Sequence, residues 1–316
     1  MSAAAAATVH RAVPCHGPEH QAAALRAPLE AALERGDPTL AVVDHRCRAE
    51  LDHELGPDAG IEFRAPEQMH CAPPFTVASR WARSARSATR GGEGTRMVTI
   101  GQQIDDLPGT DAGYWTRLDV ALGRVMQGLP VTMLCCFEDA PGARDTAGTM
   151  HDALLVDGRE VASRTRRDDR AVLADHPQPP PPELGTPLLD TDVDLAGLAR
   201  MRRLVRREAV LSGLGPFRTS DLVLALNEVV TNGVEHGSGQ PRLRVWRTAD
   251  ELVGEVSDAA PTHLPFPGLI APPAADSRGR GLWLASELTD VLQVWTADDD
   301  PGCPDGTVVR VRMSPP

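Results

Sequence analysis

Two hydrophobic periods alternate along this chain. In PEHQAAALRAPLEAALERGDP (18–38) the apolar residues recur at helical spacing and the run closes on glycine and proline, which predicts an amphipathic helix; the apolar TLAVVD (39–44) that follows predicts a strand. Further strands are predicted at 60–63, 96–102 and 130–138, with helices around 75–88, 113–127 and 145–152. Strands interleaved with helices predict an α/β domain with a largely parallel sheet over residues 1–175. HPQPPPP (176–182) then breaks the pattern, and 176–190 is expected to be a stiff linker. Beyond it, 191–316 reads as a second domain: helices at 195–213 and around 222–236, a strand ending at Asp258, a glycine-led helix at 277–290 and a terminal strand at 305–313. The start, MSAAAAATVHRAVP, lacks a basic segment and a leucine-rich run, so it reads as a frayed tail and not as a signal peptide. No apolar stretch approaches the ~20 residues that cross a bilayer.

The segment LALNEVVTNGVEHGSG (224–239) concentrates the candidate chemistry. Leu222, Leu226, Val229, Val230 and Val234 form an apolar stripe, and Glu228, Asn232 and His236 follow one another at four-residue steps along its edge. A carboxylate and an amide oxygen one turn apart are hard donors of the kind that hold Mg²⁺ and orient a hydroxyl toward a phosphate; the plain alternative is a solvated helix face. Gly279 and Gly281 flank Arg280 before a helical run, where bare backbone amides suit a phosphate. Asp258 ends an alternating strand, where its carboxylate suits an adenine amino group or an ordinary turn, and Thr307 follows glycine at the start of the last strand. The chain has no lysine, so its 32 basic residues are all arginine. Phosphate binding must therefore use Mg²⁺, amides and arginines such as Arg278 and Arg280, and a P-loop is excluded. Heavy use of alanine, arginine, glycine and proline points to a GC-rich bacterial genome.

The order asparagine helix, strand ending in aspartate, glycine loop opening a helix and Gly-Thr strand resembles the nucleotide fold of the GHKL ATPases, most closely their anti-sigma-factor serine/threonine kinases. The pattern N-E-x-x-x-N-x-x-x-H, here Asn227, Glu228, Asn232 and His236, carries that resemblance over roughly 190–316. It implies an α+β sandwich that binds ATP and Mg²⁺, with Asn232 on the metal and Glu228 as base toward a substrate hydroxyl. His236, Asp258, Arg278, Gly279, Arg280, Gly281 and Thr307 would complete the nucleotide site. It implies as partners a sigma factor and a STAS-domain antagonist whose phosphorylation switches sigma sequestration, with room for a homodimer. Histidine autokinases share the fold, but the preceding helix at 195–213 contains no acceptor histidine. The family usually has Asp-x-Gly where this chain has Asp258, Ala259 and Ala260. Alanine at a positive φ would cost about 1–2 kcal/mol, so a module that grips its partners with little or no catalysis is the alternative.

Residues 1–175 resemble, less specifically, the MEDS-type sensory domain that precedes such ATPase domains, on the strand MLCCFE followed by a helix and His151. Histidines and cysteines crowd the early chain (His10, Cys15, His16, His20, His45, Cys47, His53, His70, Cys71), which raises a metal- or redox-responsive sensor as a further reading. Only His16 and His20 show ligand-like spacing, and Cys135 and Cys136, adjacent in an apolar strand, are expected to point to opposite faces as buried thiols. Six cysteines without a framework fit a reducing cytoplasm. A net charge of −12 and 3% aromatic residues speak against nucleic acid as a direct partner.

Overall fold

The computed structural model describes residues 8–90, 95–260, 266–272, 280–296 and 306–315. The chain divides into two compact units, Met1–His176 and Pro177–Pro316.

The first unit runs β1 (Val9–Cys15), α1 (Gly17–Glu34), β2 (Thr39–Val42), α2 (His45–Leu55), β3 (Ile61–Arg64), α3 (Pro66–His70), α4 (Pro74–Thr89), β4 (Met97–Gln102), α5 (Tyr114–Val125), β5 (Val131–Glu138), α6 (Ala143–Met150), β6 (Ala153–Val156), β7 (Arg159–Ala162) and α7 (Asp169–Asp175). Among the described residues seven strands make one sheet, ordered β3-β2-β4-β5-β1-β6-β7. Its ladders are parallel except β6–β7, so the unit is α/β with a largely parallel sheet. From β1 the chain moves toward β3 and then turns back toward β6. A right-handed crossover must change faces when its direction reverses. Accordingly Leu25 and Leu29 of α1 and Cys47 and Leu51 of α2 pack with Val13, Ile100, Leu134 and Cys136 on one face. Trp81 of α4 and Leu118 of α5 meet Thr99, Met133 and Cys135 on the other.

Reading the first fourteen residues as a frayed tail was wrong for residues 9–14, which belong to β1. They form the strand between β5 and β6, with Ala12 and Val13 fully buried. Two polar residues and Pro14 hid the strand, because a sheet interior has no alternation to reveal it. Arg11 is accommodated by an ion pair with Glu160 of β7 at 2.9 Å.

The thiols follow the sheet. Cys15, Cys47, Cys135 and Cys136 are buried and Cys71 is exposed. Burial pushes the Cys47 thiol up to about 12, which leaves it almost wholly protonated at neutral pH and unreactive. Brief maleimide treatment of the folded protein, mapped by mass spectrometry, is expected to label Cys71 and to spare these four until denaturant is added. Cys303 lies outside the described residues.

The second unit runs β8 (Leu189–Asp192), α8 (Leu198–Leu211), α9 (Pro216–His236), β9 (Arg242–Arg247), β10 (Leu252–Asp258), α10 (Arg280–Leu288), β11 (Val291–Thr296) and β12 (Thr307–Met313). Its strands form an antiparallel sheet ordered β11-β12-β10-β9-β8. Period-two alternation gives that sheet two different faces. Leu243, Val245, Leu252, Val256, Val309 and Val311 lie under the helices with Met201, Val205, Leu222, Leu226 and Ala285. Helices on one face of an antiparallel sheet make the unit α+β. On the opposite face, segment 177–185 runs across the strands and accepts their donors. Trp295 Nε1 reaches Pro179 O (2.8 Å), Arg310 Nη1 reaches Pro182 O (3.0 Å), Trp246 Nε1 reaches Gly185 O (2.9 Å), and Gln178 donates to Val294 O. Proline has no N–H to offer, so the donors in these contacts come largely from side chains of the sheet.

Candidate functional site

Helix α9 is buried along Thr219, Leu222, Leu226, Val229 and Val230, which leaves two polar flanks about 100° or more to either side. Asn227 lies on one flank and accepts from Arg202 Nη1 of α8 at 2.9 Å. Its amide is thereby spent on helix packing. Glu228, Asn232 and His236 follow the other flank, about 6 Å apart along the axis by helical rise. This flank faces α10: a Cβ added to Gly281 would sit 2.7 Å from Asn232 Nδ2, so the missing side chain of Gly281 lets backbone and amide meet. Glu228 is half-buried one turn back and makes no hydrogen bond or ion pair among the described residues, while His236 ends the helix and is exposed. A carboxylate without a partner beside an amide, at the described start of a helix, can receive a hydroxyl proton and hold a hard cation.

Asp258 is engaged by neighbouring groups of the chain itself. Its carboxylate sits against Gly233 of α9 and Gly237 just after it; a Cβ on Gly237 would come 2.5 Å from Oδ1. It accepts from Ser238 N (3.0 Å to each oxygen), Ser238 Oγ (2.7 Å) and Ala260 N (2.7 Å). These bonds occupy most of the lone pairs a carboxylate offers, and they tie the segment just after α9 to the end of β10. Ala259 and Ala260 are not among the residues with positive φ, so the turn avoids the strain expected of an Asp-x-Gly geometry. The conformational freedom has moved to Gly306, at φ 106°, where a Cβ would lie 2.0 Å from Asp258 O. Thr307 ties the same corner by donating to Ala260 O at 2.9 Å.

Of the expected site residues, then, Asn232 and Gly281 are brought together and Glu228 lies on the same flank; Asp258 and Thr307 share the corner at the end of β10. Arg280 is exposed at the described start of α10. Arg278 and Gly279 lie outside the described residues. Ser238 and Gly306 were missed; Gly-Ser-Gly after the helix and Asp-Gly-Thr before the strand were their signals in the sequence. The arginines of α8, Arg200, Arg202, Arg203, Arg206 and Arg207, are exposed.

Residues 191–313 match the family model of the histidine kinase-like ATPase domain. No curated protein matches the chain. The solved structure of the RsbU and RsbW domains of Rv1364c from Mycobacterium tuberculosis is similar over 41% of this chain and 32% of that one, at 19% identity and a TM-score of 0.30. The chain thus spans about a third of that structure's length, and the TM-score is too low to carry a likeness of fold. Among the described residues no helix is long and apolar enough to cross a membrane.

Proposed function

We propose that the second unit binds Mg²⁺ and ATP on the flank of α9 that faces α10, and phosphorylates a serine or threonine of a STAS-type antagonist, thereby switching its hold on a sigma factor. The observation that carries this reading is Asn232 meeting Gly281 with the partnerless Glu228 one turn behind, within a segment that matches a histidine kinase-like ATPase domain. In it, the Asn232 amide oxygen holds Mg²⁺, and the amides of Arg280 and Gly281 face the phosphates. Glu228 takes the proton of the substrate hydroxyl at its carboxylate. Bound Mg-ATP supplies the phosphoryl group and neutralises its charge. The partner surface is the exposed apolar set Val210, Leu211 and Phe217, where α8 ends and α9 begins.

A second reading is favoured by one observation, the engagement of Asp258 by Ser238 and Ala260. A nucleotide base must displace those donors, so affinity is low and partner capture is the surviving role. Incubation with Mg-ATP and a panel of STAS proteins from the source organism separates the two. The kinase reading expects phosphate on an antagonist, with transfer reduced by about 10²–10⁴ in Glu228→Ala, and nucleotide affinity falling in Asn232→Ala and Gly281→Ala. Sigma-factor capture with no nucleotide uptake would replace it by the second reading. Nucleotide binding indifferent to Asn232→Ala would overturn the site.

A further inference from the structure

We propose that His10, Asp119, Cys135 and His151 of the first unit form a buried binding site for a single divalent transition-metal ion of the zinc class. The four come from β1, α5, β5 and the residue that ends α6, and one ligand atom from each lies within 4.8 Å of all the others. They are 8%, 3%, 6% and 1% exposed, respectively. His10 Nε2 is 3.2 Å from Cys135 Sγ. Tetrahedral bonds of about 2.0–2.3 Å to nitrogen, oxygen and sulfur imply donor–donor edges of roughly 3.3–3.8 Å, so the cluster is already close to that size.

A second observation points to a ligand. His151 Nδ1 is 2.8 Å from Ala147 O, and since a carbonyl only accepts, the ring proton is on Nδ1. The Nε2 lone pair of a neutral ring then points inward, where it has no hydrogen-bond partner. Its neighbour is Asp119 Oδ2 at 4.0 Å, another acceptor, too far for a hydrogen bond. Two lone pairs facing each other in a dry interior want a cation between them. The bond to Ala147 and the one from Gln103 Nε2 to Asp119 Oδ2 (2.9 Å) are contacts of the kind that orient metal ligands. Two imidazoles, a carboxylate and a thiolate around a divalent ion are neutral overall, which burial requires. The donor set of nitrogen, sulfur and oxygen suits zinc over calcium or magnesium. Asp119 and Cys135 also line a small cavity with Trp81, Trp115 and Met133, which gives an ion an approach.

The test uses the untagged full chain, stripped of metal and titrated with Zn²⁺ or Co²⁺. One equivalent of Zn²⁺ is expected, with a thiolate-to-metal charge-transfer band in the Co²⁺ form and a rise in Tm of the first unit on loading. Affinity should fall at least about 100-fold in His151→Ala and Cys135→Ser. It should fall about 10-fold in Gln103→Leu, which keeps all four donors, and stay unchanged when His16 and His20 are both replaced by alanine. If the ligand variants do not fold, the Co²⁺ band of the double variant Cys71→Ser/Cys303→Ser decides, since a cysteine ligand produces it and of the four buried thiols left only Cys135 lies in the cluster. No uptake by the folded wild type, uptake without the band (an adventitious ion only), or a loss that follows His16 and His20 would each overturn the site.

Discussion

Gly306→Ala lowers the melting temperature of the second unit by roughly 5–10 °C, a loss of about 2 kcal/mol. Two effects add. At φ 106° an L side chain is strained, and the new Cβ would lie 2.0 Å from Asp258 O and 2.8 Å from Ala259 C. Those are backbone atoms at the end of β10, beside the start of β12, which cannot swing aside as a side chain would. Gly213→Ala is the control, because its φ is 83° and nothing lies within 4 Å of its Cβ position. Calorimetry should show Gly306→Ala costing clearly more than Gly213→Ala; equal losses would mean that strain alone acts and that the close approach at Asp258 is wrong. Because Thr307 and Ala260 close the same corner, the variant also disturbs the bonds by which Asp258 holds Ser238, just after α9.

The same corner shows what the amino-acid sequence could reveal. Helical spacing in 222–236 was enough to place α9 and the edge carrying Glu228, Asn232 and His236, because the period and the burial agree there. That Asn227 points to α8 instead follows from the same helical angle. What Asp258 does was hidden, because its partner Ser238 lies twenty positions away and the glycines that admit its carboxylate, Gly233 and Gly237, matter only through the space they leave. Strand β8, Leu-Asp-Thr-Asp, escaped because four residues with alternate polar positions look like a turn, and α2 escaped because only Cys47 and Leu51 of it are buried. Spacing drew attention to His16 and His20, yet His16 reaches Asp139 (3.2 Å) and His20 stands near Asp157 (3.9 Å) at the surface. The buried cluster gathers positions 10, 119, 135 and 151, and no local spacing encodes a site that only the crossover topology assembles.

Glu255→Ala destabilises the second unit by about 3–5 kcal/mol, the cost of leaving a buried charge without its counter-ion. Glu255 is 1% exposed and lies on the sheet face away from the helices. Its Oε2 accepts from Arg310 Nε (2.8 Å) and Nη2 (2.5 Å), while Arg244 donates to Oε1. Arg310 is itself 3% exposed, stacked 5.6 Å from the Trp295 ring and bonded to Pro182 O. Arg244 is partly exposed and can turn toward water; Arg310 cannot. The loss should therefore depend mainly on Arg310, and the double variant Glu255→Leu/Arg310→Met should regain most of it, since an apolar pair of similar volume removes both desolvation costs. Urea unfolding of the two single variants and the double variant gives the coupling. A loss below about 1 kcal/mol in Glu255→Ala would show that Arg310 finds water or another acceptor. The double variant carries a second consequence, because it deletes the donor to Pro182 and leaves segment 177–185 held by Trp295, Trp246 and Gln178. Faster proteolysis in that segment with stability restored would separate the two roles of Arg310, neutralising Glu255 and fastening the proline-rich segment to the sheet.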